Sequence, residues 1–289
     1  MCGFRHQDFA GLMGGAIPVS DGLMKALRCL VVSALVLFPS ACTTVPETGR
    51  PQLALMGSQE EMAMGEQAFR EIKSRKPVSS SAAANAQVKR VGARIASVAD
   101  VPGARWEFVV FQDPEPNAFA LPGGKVGVNT GLLPITKDDA GLATIIGHEV
   151  AHVAARHGSE RMSQGLLAEI GGAAVDVALQ AATDLPAGTR GLIGQGYGIG
   201  AQVGVLLPYS RLHESEADRI GLLYMARAGY DPSVAVKVWE RFAAYNRSRG
   251  SSNAISLLST HPVDEARIAT IKKYLPQAME EYRAAIAAR

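Results

Sequence analysis

The chain has 289 residues, 47% hydrophobic and 6% aromatic, with a formal net charge of +2. So much apolar material suits one catalytic-size domain with a buried core and excludes a disordered chain. The mixed, near-neutral charge and sparse rings exclude nucleic acid as a partner, since that needs a basic field and stacking platforms.

Residues 1–23 are Gly-rich and carry Asp8 and Asp21, unlike the start of an export signal, so they read as an extension from a misplaced start codon. From Met24 the pattern changes. Lys25 and Arg28 are basic, Cys29 to Phe38 is an apolar run, and the small residues Ser40 and Ala41 precede Cys42. A basic region, an apolar run of about ten residues and a small-residue cleavage site make 24–41 a secretory signal. Ending at a cysteine, it resembles a bacterial lipoprotein signal with Cys42 lipidated, although Pro39 stands where that pattern usually has Leu. The expected address is the periplasm, with the outer membrane touched only through the lipid. Residues 42–57, with Pro46, Gly49 and Pro51, read as a tether. The three cysteines, Cys2, Cys29 and Cys42, precede the folded region, so no thiolate metal site or cysteine nucleophile is expected in it.

Residues 58–289 read as the catalytic domain. Apolar spacing predicts helices over Ser58–Lys73 and Ala82–Val98, then a strand over Trp106–Gln112. Asn117 to Asn129 reads as a hairpin turning at Pro122-Gly123-Gly124, and Thr136 to Asp139 as a capping box. The stretch Leu142–Ala155 is apolar on nearly every side and should be a helix buried within the domain. Further helices are expected over Glu160–Ala182, Leu212–Ala228, Pro232–Ala244, Pro262–Tyr274 and Pro276–Ala288. Gly191–Ser210 is uncharged but rich in glycine, which makes it a poor membrane span and a better mobile segment near the active site.

The buried helix carries His148-Glu149-Val150-Ala151-His152, the HExxH pattern. Histidines four apart project from one helix face about 6 Å apart, so both imidazoles can hold one ion. Glu149 falls beside the open metal position, where a general base belongs. Polar groups in so apolar a helix need a purpose, because each unpaired one costs about 1–3 kcal/mol.

A third ligand should come from Ser210–Gly221. On a helix Glu214 and Asp218 share a face with the small residues Ala217 and Gly221, which would allow close packing on the HExxH helix. Glu214 is therefore the candidate ligand, and Asp218 the acceptor for a ligand histidine's free N–H. His213 is the rival ligand, though it points about 100° off that face. Glu216 points about 200° away from Glu214 and reads as solvated. His157, about 140° round from His152, suits a supporting or surface position. His261, just before Pro262, reads by sequence alone as a solvated loop histidine.

Together these residues resemble the gluzincin family that groups HtpX-type proteases with CAAX prenyl endopeptidases, peptidase family M48. The resemblance covers Ser58 to Tyr274 and rests on Asn117-Ala-Phe-Ala, His148-Glu-Val-Ala-His152, Glu214-Ser-Glu-Ala-Asp218, and Ser259-Thr-His-Pro262 with Arg267. It implies an α+β, mainly α, zincin-like domain with a small sheet or hairpin beside the HExxH helix. It implies one Zn2+ per chain on His148, His152 and Glu214, Glu149 as general base, and Asp218 and Arg267 in support. It also brings His261 to the site, either stabilising the oxyanion or capping the metal in a latent state. Asn117, Gly124, Val126, Gly127, Val128 and Asn129 would bind substrate, with Gly124–Asn129 as the edge strand. Membrane-spanning helices and a tetratricopeptide tail are missing from the pattern, so the resemblance points to a compact periplasmic lipoprotein member.

The function expected is a zinc metalloendopeptidase acting on misfolded or unassembled envelope proteins. The alternatives are a chaperone or assembly factor working with the outer-membrane protein assembly machinery through a latent zinc site, and a zinc hydrolase of cell wall or small amides.

Overall fold

A computed structural model describes residues 42–181, 211–249 and 256–288. The chain divides into two units, Met1–Cys42 and Thr43–Arg289. The described elements belong to the second, save Cys42 at the head of the first strand. The expected signal over 24–41 and the uncharged stretch Gly191–Ser210 lie outside the described residues.

Strands β1 (Cys42–Thr44) and β2 (Pro51–Leu53) pair into a small sheet. The segment expected to be a tether is thus folded onto the domain, with Val45 and Gln52 buried. Helix α1 (Ser58–Arg75) carries Glu60 and Glu61 in its first turn and Lys73 and Arg75 in its last, each matched to the helix dipole. Helix α2 (Ala82–Ala96) starts where the Ser81 hydroxyl accepts the Ala84 N–H at 3.3 Å, and it buries the predicted face of Val88, Val91 and Ile95.

Strands β3 (Glu107–Phe111), β4 (Ala118–Leu121) and β5 (Lys125–Asn129) form a second sheet in the order β3-β5-β4. The β4–β5 hairpin is antiparallel, Ala118 opposite Val128 and Leu121 opposite Lys125. Its turn uses Gly123 and Gly124, both at φ 82°, a backbone that side-chain-bearing residues resist. On the far side of β5 runs β3, parallel, with Glu107 opposite Lys125 and Phe111 opposite Asn129.

After the short helix α3 (Leu133–Thr136) comes α4 (Asp139–Ala154). Its N-cap is Asp138, whose carboxylate accepts the Gly141 N–H at 2.7 Å. Thr136 has no capping role, because its hydroxyl turns back to the Leu133 carbonyl at 3.1 Å. Nearly every residue of α4 is buried, as a sequence apolar on nearly every side predicts. The chain then breaks at Arg156, φ 53°, and restarts as α5 (His157–Ala181).

Helix α6 (Arg211–Arg227) packs along α4, and α7 (Val234–Ser248) lies on the same core. The close approach is made by Gly147 and Gly221. A methyl on Gly147 would meet the Gly221 carbonyl oxygen at 3.1 Å. A short helix α8 (Ser256–Thr260) leads to α9 (Glu265–Ala287). Where the sequence predicts two helices, α9 runs unbroken through Pro276. Proline costs the interior one hydrogen bond, but Ile271 and Ala278 on either side are both buried and hold the flanking turns in register. Its start is set by Asp264, which accepts the Arg267 N–H at 2.7 Å, rather than by Pro262. Among the described residues, no helix is long and apolar enough to cross a membrane.

Candidate metal centre and active site

Three elements meet at the site. Helix α4 supplies His148, Glu149 and His152, α6 supplies Glu214 and Asp218, and the turn from α8 to α9 supplies His261, with Arg267 in the first turn of α9. His148, His152, Glu214 and His261 each bring one ligand-type atom to a common point, all within 4.8 Å of one another. None of the four, nor Glu149, is more than 5% exposed, so the group is closed off from bulk water.

The spacings suit a single cation. His148 Nε2 lies 3.1 Å from His152 Nε2 and 3.3 Å from His261 Nδ1. Glu214 Oε2 stands 3.4 Å from His148 Nε2, Glu214 Oε1 stands 3.4 Å from His152 Nε2, and the same Oε1 is 2.9 Å from His261 Nδ1. Tetrahedral zinc with bonds of 2.0–2.1 Å requires neighbouring ligand atoms about 3.3–3.4 Å apart. Three imidazole nitrogens and a carboxylate facing one another inside a core form a donor set for a metal, since hydrogen bonding alone leaves lone pairs opposed.

The electrostatics agree. Burial works to lower His148, but Asp218 and Glu214 outweigh it and hold the imidazole up at about 9. Burial drives His152 well below its ordinary range despite Glu214. Burial would raise Glu214, yet the three imidazoles pull it far below the usual carboxylate range.

Support comes from behind. His148 Nδ1 faces Asp218 Oδ1 at 2.9 Å, the contact expected to fix its tautomer. Asp218 is in turn gripped by Arg267, Nε to Oδ2 and Nη2 to Oδ1, both 2.8 Å. Arg267 also reaches Glu214 Oε2 at 3.0 Å and lies 4.0 Å over the ring of Trp239. Trp239 meets His148 edge-on at 5.4 Å and so walls the site, a role its sequence gives no sign of.

Glu149 stands apart from the ligand set. Its Oε1 is buried without a hydrogen-bond partner among the described residues, 3.5 Å from His261 Nε2. Burial pushes its carboxyl up, with the His261 and His148 charges opposing. A buried carboxylate oxygen left without a donor is suited to accept a proton.

The structure corrects the solvated readings of His261 and Glu216 and shows where His213 and His157 lie. His261 is a buried member of the cluster, not a solvated loop residue. His213 is turned away from the cluster, its Nε2 3.0 Å from Glu160 Oε2. Glu216 is buried and bonded to His157 Nε2 at 2.9 Å, because the N-terminal segment covers the face that sequence leaves to solvent. His157 reaches His152, Nδ1 to Nδ1, at 2.8 Å. The break at Arg156 makes that possible, and an uninterrupted helix would not allow it.

The expected substrate strand also moves. Val126, Gly127, Val128 and Asn129 lie in β5, the central strand, and Gly124 lies in the turn. The β5 main chain is shared between β3 and β4, so it offers no edge. The Asn117 carbonyl closes the ladder by accepting the Asn129 N–H at 2.9 Å. The edge strand beside α4 is β4, which among the described residues has β5 as its sole strand neighbour.

A family model described as Peptidase family M48 matches residues 82–275. Over 81% of its length the chain is 37% identical to the Mitochondrial metalloendopeptidase OMA1 of Schizosaccharomyces pombe, of which it covers 66%. The protein of that name from Saccharomyces cerevisiae is 39% identical across 62% of the chain and 50% of the relative. The Beta-barrel assembly-enhancing protease of Escherichia coli is 27% identical across 86% of the chain and 51% of the relative. The chain thus spans about half to two thirds of the length of these relatives.

Proposed function

The chain belongs to Peptidase family M48, and on that premise we propose that it is a zinc metalloendopeptidase of the bacterial cell envelope, acting on misfolded or unassembled envelope proteins. The observation that carries the enzymatic reading is the buried convergence of His148, His152, Glu214 and His261 beside the unpartnered Glu149 oxygen.

His148, His152 and Glu214 would hold the ion, and His261 would have to give up the fourth place for a water to take it. When bound, zinc supplies Lewis acidity that polarises a scissile carbonyl and brings a water's pKa towards ~7. Glu149 takes the water's proton on its free oxygen and later delivers it to the leaving amine. Asp218 holds His148 in the tautomer that turns Nε2 inward, and Arg267 balances the charge of both carboxylates. An extended peptide would add to the edge of β4 that faces away from β5, main chain to main chain, a mode that tolerates many sequences.

The envelope address is supported by the signal-like pattern over 24–41, by the cysteine at 42 that ends it, and by likeness to a protease named for β-barrel assembly. The likeness to mitochondrial proteins supports the peptidase reading alone. One observation favours a second reading. With His261 in the ligand set and the cluster buried, the site is closed, as suits an assembly factor for outer-membrane proteins with a latent zinc centre.

Glu149→Gln separates the two. As a peptidase, the variant should bind zinc like the wild type yet fail to cleave unfolded casein, and cells carrying it should show the envelope defect of a deletion. Cleavage at the wild-type rate would sink the mechanism, whereas normal envelope integrity with cleavage abolished would favour the assembly factor. Muropeptide cleavage without protein cleavage would point instead to a cell-wall hydrolase.

A further inference from the structure

Given the metal reading of the cluster, on which this depends, we infer that Arg50, in the turn between β1 and β2, is a positioning residue for the ligand His152, acting through Glu216 and His157.

The two ligand histidines are supported in different ways. His148 meets a carboxylate directly, through Asp218. His152 has another imidazole against its Nδ1, that of His157 at 2.8 Å. His157 then reaches Glu216 Oε2 through its Nε2 at 2.9 Å. Proton placement along this line is determined once His152 Nε2 offers its lone pair to an ion. His152 must carry its proton on Nδ1 and donate to His157 Nδ1. His157 must then carry its proton on Nε2 and donate to Glu216. Each group has one role only, and the carboxylate terminates the line as a charged acceptor, raising the basicity of the ligand ring.

Glu216 is itself held from the N-terminal segment. Arg50 Nε donates to Glu216 Oε2 at 2.8 Å, and Thr48 donates its hydroxyl to Glu216 Oε1. The remaining guanidinium edge forms a two-pronged contact with Glu160, 2.9 Å and 2.7 Å. Glu160 lies in the first turn of α5, on the helix that begins with His157. One guanidinium therefore fastens the carboxylate that ends the line to the helix that carries its middle member. Such planar, paired recognition is what arginine does and lysine does not. The segment from Val45 to Leu53 is thereby part of the metal site's scaffold, although it lies some hundred residues before the HExxH helix in sequence.

The test uses the full chain, zinc competition against a chromophoric chelator, and the visible spectrum of the cobalt-loaded protein. Glu216→Ala and His157→Leu should each weaken metal binding by about 10–100-fold, and Arg50→Gln by a smaller factor of about 3–10. The cobalt bands should shift in all three, and Arg50→Gln added to Glu216→Ala should weaken binding no further. A merely structural role would lower the melting temperature of the chelated protein while leaving affinity and spectrum at wild-type values, and that result would overturn the inference. Arg50 sits on the surface turn, so Arg50→Gln reads the coupling even where the core variants fail to fold; unchanged affinity there removes Arg50 from the scheme. A wild-type chain that takes up neither zinc nor cobalt would overturn the metal reading as well, whereas a metal-binding wild type with unaffected variants overturns the relay alone.

Discussion

The main chain of Gly221 lies against that of His148, so closely that a methyl on Gly221 would stand 2.9 Å from the His148 nitrogen. The clash would be with backbone on a packed helix, which cannot swing aside as a flexible side chain can. This contact sets how deeply α6 seats on α4, and hence whether Glu214 and Asp218 reach the two histidines.

Gly221→Ala should therefore push the helices apart. The expected cost is about 1–3 kcal/mol of stability, as for other overpacked cores, together with weaker zinc binding. Denaturant melts of the chelated protein and chelator competition of the loaded protein measure the two effects. Wild-type values in both would refute the account of close approach.

Asp218 serves two partners, His148 Nδ1 at 2.9 Å and Arg267 through two contacts of 2.8 Å. Asp218→Asn keeps the shape and removes the charge. Metal affinity should fall by about 10–100-fold. Stability should fall by about 3–5 kcal/mol, because a buried arginine loses its principal counter-charge. A change confined to stability would show that Asp218 serves Arg267 alone.

His261 presents Nδ1 to the ligand set and Nε2 to Glu149. If it caps the site, His261→Ala should retain zinc on the remaining three ligands and cleave unfolded casein at least as fast as the wild type. A hundredfold loss of kcat with zinc retained would instead show that the ring acts on the substrate.

A pH dependence arises from Asp139 at the start of α4. The Arg90 side chain, with help from Gln87, holds this carboxyl below its ordinary 3.8 against the opposing effect of burial. A carboxylate that binds its proton more weakly folded than unfolded adds stability above its ordinary value, and that stability disappears as pH falls through the lowered one. Arg90 is exposed and Asp139 partly so, and solvent screens the pair, so Asp139→Asn should cost no more than ~1 kcal/mol at pH 7. The difference in melting temperature between wild type and variant should shrink below pH 3.8. A difference that persisted undiminished to pH 2 would mean that the contact acts through shape and not charge.

Much of the centre could be read along the chain because its parts obey helix periodicity. His148, Glu149 and His152 share a helix whose apolar surroundings announce burial. Glu214, Ala217, Asp218 and Gly221 share a face that announces close packing, and Gly123-Gly124 announces a turn. Each of these rests on residues within a few positions of one another, where backbone geometry alone fixes direction.

What lay beyond reach depended on contacts between distant segments. Glu216 points away from Glu214 on α6, as periodicity requires, but whether that face meets water or Arg50 is decided by where the N-terminal segment folds. His157 supports His152 because the helix breaks at Arg156, and His213 pairs with Glu160 instead of an ion. The sheet order that makes β4, not β5, the edge comes from β3 pairing in parallel across a crossover that no local pattern encodes. Local sequence determines which way a side chain leaves its own helix or strand, and tertiary packing alone decides what it meets there, because burial and charge pairing depend on chain brought in from elsewhere.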